Sequence, residues 1–77
     1  MRNLDEMKIE RDYLKHFLEG ELIRLDGYKA KLRYPKDEAE EHYYRGCVET
    51  LLKEVYLHKC LIQHYDTWIA EEEKRTA

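Results

Sequence analysis

One proline stands in a chain of 77 residues, at position 35, and on either side of it the apolar residues recur at helical spacing with no further stop. Proline fixes its own φ, lacks a backbone N–H and pushes the residue before it, here Tyr34, out of the helical region. A chain built this way folds as two long helices joined at residues 34–36. Three glycines and a 40% share of charged residues leave little material for sheet turns and suit helices with solvated faces. The expectation is an all-α protein: a single-domain antiparallel helical hairpin over residues 1–77, dimerising into a four-helix bundle.

Local signals set the helix ends. Asn3 followed by Glu6 is a capping box: the Asn3 side chain accepts from a backbone N–H of the first turn. Asp37 with Glu40 repeats the pattern. Asp37, Glu38, Glu40 and Glu41 complement the positive end of the second helix dipole, and Lys74 and Arg75 its negative end. The helices are expected over about residues 4–33 and about 37–74, with residues past about 70 overhanging and fraying.

The stretch EGELIRLDG puts Gly20 and Gly27 inside the first helix, each costing about 1 kcal/mol relative to alanine. A seam of Leu4, Met7, Leu14, Leu18, Leu25, Tyr28 and Leu32 runs through both, with Arg11 and Glu21 as polar exceptions. A break at Gly27 would release Tyr28 and Leu32 from that register, so the helix is expected to be continuous. A second stripe lies opposite: Ile9, Tyr13, His16, Gly20, Ile23, Gly27, Ala30 and Tyr34. These residues, with Tyr56, are the candidate dimer or partner interface, the small ones permitting close approach of a second helix.

The second helix has two adjacent seams. Tyr44, Val48, Leu51, Val55, His58, Ile62, Tyr65 and Ile69 form one, and Tyr43, Cys47, Leu57, Leu61, His64 and Trp68 the other. One partner helix covers only a narrow stripe, whereas a face this wide suits a bundle of four, which a single hairpin cannot supply. A homodimer follows. Folding about residues 34 and 35 sets position i opposite roughly position 69 minus i, so that Leu18 faces Leu51 and Met7 faces Ile62. Arg11 then falls near His58 and Glu54, an expected buried polar group fixing the register.

The chemistry-bearing residues are sparse. Cys60 and His64 are the only cysteine–histidine pair on one helical face, with no motif to complete a metal site. Cys47 and Cys60, separated by roughly 20 Å along one helix, are expected to be free thiols in a reducing compartment. There is no phosphate-binding loop or nucleophile elbow. No catalysis, metal or cofactor is expected.

The first 34 residues carry eight Lys/Arg against seven Asp/Glu and the rest six against ten, for a net charge of −3. That balance favours no strongly charged partner. Arg24, Lys29, Lys31, Arg33 and Lys36, interleaved with Tyr28 and Tyr34 near the turn, are the candidate contacts for a weaker alternative, a nucleic-acid accessory protein. A third alternative is a purely structural assembly protein. With seven tyrosines and no apolar run of signal or membrane-span length, the leading expectation is a cytoplasmic, non-catalytic protein-binding module acting as a regulator, inhibitor or adaptor, without membrane contact.

Overall fold

A computed structural model describes residues 3–77. Helix α1 spans Leu4–Arg33 and helix α2 spans Glu38–Thr76, and the two pack antiparallel into a rod of 59 × 16 × 15 Å. The turn is fixed as the proline requires. Tyr34, with φ −139° and ψ 68°, leaves the helical region, and Asp37 begins the next helix in an extended conformation. Both caps form: Asn3 Oδ1 accepts from the Glu6 N–H at 2.8 Å and Asp37 Oδ1 from the Glu40 N–H at 2.8 Å. Each satisfies one backbone donor that the helix itself cannot.

Helix α1 runs through Gly20 and Gly27 without interruption, and neither adopts positive φ. A Cβ built on either glycine would meet nothing within 4 Å, so packing inside the chain does not ask for glycine there. At the other end, α2 stays helical to Thr76 rather than losing order past residue 70. Arg75 pairs with Glu72, and the Thr76 hydroxyl donates to the Glu72 carbonyl at 3.0 Å. The overhang is as expected from the unequal helix lengths. Ile69 packs on Met7 and Leu4, and beyond it the side chains are exposed apart from the half-buried Glu72.

The two expected core seams meet. Met7, Leu25, Leu51, Val55, Ile62, Tyr65 and Ile69 are buried, with Leu4 and Leu14 packed on the Met7–Tyr65–Ile69 cluster. Their register differs from the expected one: Met7 meets Tyr65 and Ile69, and Tyr28 meets Tyr44 with ring centroids 5.8 Å apart. The cause is the tilt of every helical side chain toward its own N-terminus. In a hairpin that tilt points away from the turn on α1 and toward it on α2. The α2 residue reached by a given α1 side chain therefore lies farther from the turn than backbone height alone indicates.

The expected grouping of Arg11 with Glu54 and His58 fails for this reason. Arg11 pairs instead with Asp66 at 3.3 Å and with Asp12 at 3.2 Å, Glu54 is exposed, and His58 joins Glu21 at 2.6 Å. Tyr65 adds a third crossing by donating its hydroxyl to Glu10. Polar side chains do link the helices, at two levels along the rod: Glu21 with His58 at one, and Arg11 with Asp66 beside Glu10 with Tyr65 at the other.

Candidate functional site

Two helices in contact leave two open sides, and here the sides differ. One carries the Arg11–Asp66 pair together with exposed Lys15 and Lys59. The other is a groove walled by aromatic and aliphatic side chains. At its open end Met7, Leu61, Tyr65 and Trp68 line a depression of about 750 Å³ rimmed by Glu71, Glu72 and Arg75. Nearer the turn, Tyr28, Tyr43, Gly46, Cys47 and Thr50 line a hollow of about 450 Å³, with Arg24 and Glu54 beside it.

Helical phase joins these two depressions. Gly46, Leu57 and Trp68 are spaced by eleven residues, close to three turns, and so lie on one line down α2. On α1, Phe17 and Tyr28 have the same spacing. Phe17 stands edge-on to His58 with ring centroids 5.3 Å apart, which roofs the helix interface midway along the rod. Along this groove Phe17, Tyr43, Leu57, Leu61 and Trp68 expose between 38% and 64% of their surface. Trp68 is held in place by stacking on His64 at 5.7 Å and by an edge contact with Tyr65 at 5.4 Å.

Beneath Phe17 and His58 lies Glu21, the one fully buried charged side chain among the described residues. Its Oε1 lies 2.6 Å from His58 Nδ1, and its Oε2 has no hydrogen-bond partner among the described residues. A buried carboxylate oxygen left unmatched is costly, and a histidine as its sole partner makes the pair sensitive to any change at position 58. Near the turn the Tyr43 hydroxyl is raised above the ordinary phenol range, chiefly by its hydrogen bond with the Cys47 side chain.

The stripe of Ile9, Tyr13, His16, Gly20, Ile23, Gly27, Ala30 and Tyr34 lies on the back of α1, exposed throughout, and Tyr56 is exposed on α2. Arg24, Lys29, Lys31, Arg33 and Lys36 are all exposed, and of these Arg24 borders the hollow. Helical phase spreads Lys29 and Lys31 to different sides of α1, so the basic residues surround the turn end and form no single track. Cys47 and Cys60 are half-buried free thiols, and the described residues contain no group of three or more metal-binding side chains. Among them no helix is long and apolar enough to cross a membrane.

Phe17 is the groove residue that reading the two α1 seams passes over, because it belongs to neither. Its eleven-residue step to Tyr28 is the signal that places it. Comparison with protein-family models, with curated proteins and with solved structures finds no match for the chain.

Proposed function

We propose that this protein is a non-catalytic interaction module whose working form is a homodimeric helical bundle, serving as a regulator, inhibitor or adaptor. The observation that carries this reading is the groove face, on which Phe17, Tyr43, Leu57, Leu61 and Trp68 stand exposed in a single hairpin. At about 200 Å² for a large aromatic or aliphatic side chain, these five leave on the order of 500 Å² of apolar surface in water. That is the upper range for a soluble monomer and marks an interaction surface. The small size of the chain adds support, since a domain this short buries a modest fraction of its surface and gains most from a partner.

Apolar association is distinguished from phosphate binding by salt. Neutralising phosphates releases counterions, so such complexes weaken steeply as salt rises, whereas apolar burial does not. Sedimentation velocity of the protein at low and at high salt, with and without a single-stranded oligonucleotide, makes the test. The module reading predicts a dimer at both salts and no oligonucleotide in the protein boundary. A monomer that carries the oligonucleotide only at low salt contradicts it and assigns the basic turn residues to nucleic acid instead.

A further inference from the structure

We infer that the partner seated on the groove face is a second copy of this chain lying antiparallel to the first, with Trp68 of each copy in the Gly46 hollow of the other. The inference rests on the homodimer reading above and assigns the face, the direction and the register that the reading leaves open.

The symmetry of α2 sets the direction and the register. Leu57 stands twenty residues from Asp37 and twenty from Ala77, at the midpoint of the capped helix. Gly46 and Trp68 lie eleven residues to either side of it on the same helical line. A two-fold axis perpendicular to the rod at Leu57 sets Leu57 against its own copy and brings each Trp68 level with Gly46 of the other chain. Such an axis also stacks the rods over their full 59 Å length. Full overlap and the tryptophan register therefore coincide without adjustment.

The hollow at Gly46 suits the tryptophan. Gly46 has no positive φ, and a Cβ placed on it would meet nothing within 4 Å. Neither the backbone nor packing within the chain calls for glycine in the interior of α2, where it disfavours the helix. A flat indole arriving from outside does call for it. The hollow of about 450 Å³, with Tyr28 and Tyr43 in its walls, lies within the size range of pockets that take small organic groups.

The same axis lays α1 over its own copy. Phe17 is close to mid-rod, and Glu10 and Arg24 lie seven residues before and after it, so Phe17 meets Phe17 and Arg24 comes level with Glu10 of the second copy. Opposite charges thus face each other on both sides of an apolar centre. Stacking with the two turns at the same end would set Trp68 level with Trp68 and leave both hollows empty. The footprint of a rod 59 Å long and 16 Å wide is about 900 Å², against about 800 Å² per partner in a stable interface.

Two variants test this. In a chain with Cys47→Ser and Cys60→Ser, Leu57→Cys supplies the only thiol, and mild oxidation is expected to give a disulfide-linked dimer, while Lys59→Cys in the same background, on the opposite side of α2, gives none. Gly46→Leu puts a side chain into the hollow, and its Cβ meets nothing within 4 Å. It is expected to weaken self-association by at least about tenfold, to move the emission of the single tryptophan to the red, and to leave helicity by circular dichroism intact. A wild-type chain that is monomeric by sedimentation at every concentration overturns both this inference and the homodimer reading. A dimer in which Leu57→Cys fails to cross-link, or in which Gly46→Leu changes neither association nor emission, overturns the docking and leaves the homodimer reading standing.

Discussion

Glu21 and His58 form the polar crossing that holds the one fully buried carboxylate among the described residues, and substitution at one position or at both has different consequences. Removing the imidazole by His58→Ala strands a carboxylate that is already fully buried with one oxygen unmatched. Breaking a buried pair from one side costs about 3–5 kcal/mol, whereas replacing both of its members by apolar residues of similar volume is often neutral or stabilising. Urea unfolding at fixed protein concentration should accordingly show His58→Ala strongly destabilised and the double variant Glu21→Leu with His58→Leu close to wild type or above it. A His58→Ala variant as stable as the parent would mean that Glu21 finds another partner. The sequence displays Glu21 as an interruption of the α1 seam and His58 as a member of the α2 seam, yet not their pairing. That pairing depends on where two tilted side chains end, which a count of backbone positions omits.

The helices themselves are written locally, and this is why their limits could be read directly. Pro35 and the capping residues Asn3 and Asp37 act through bonds within a few residues of themselves, and each stands at its expected place. Asp37→Ala should lower stability by about 1 kcal/mol, read as a drop in the thermal midpoint, by unsatisfying the first turn of α2. The glycines separate helix energetics from association. With open space at their Cβ positions, Gly20→Ala and Gly27→Ala should each stabilise the hairpin by up to about 1 kcal/mol in the same melts. Gly20→Leu and Gly27→Leu probe the back stripe: if both leave the oligomeric state and any partner binding untouched, close approach along that stripe is refuted. Register between the elements was the poorly legible quantity. Arg11 reaching Asp66 rather than Glu54 follows from opposed tilts in antiparallel helices, a property of the pair and of neither helix alone.

For the whole molecule, two faces of one rod follow from one wide apolar surface on α2. Its first seam is consumed by α1, burying Leu51, Val55, Ile62, Tyr65 and Ile69. Its second seam, with Leu57, Leu61 and Trp68, stays in water on the groove side. The excess was visible in the sequence as a helix face too broad for one neighbour, and a second copy is the smallest assembly that covers it with closed symmetry. The side chemistry cannot be read so early, because the difference between the charged side and the aromatic groove emerges only when both helices are in place. Molar mass by multi-angle light scattering, followed as the protein is diluted, tests the account most directly. It predicts a particle of twice the 9.5 kDa chain mass that dissociates to hairpins on dilution. A constant mass of one chain at all concentrations would contradict it.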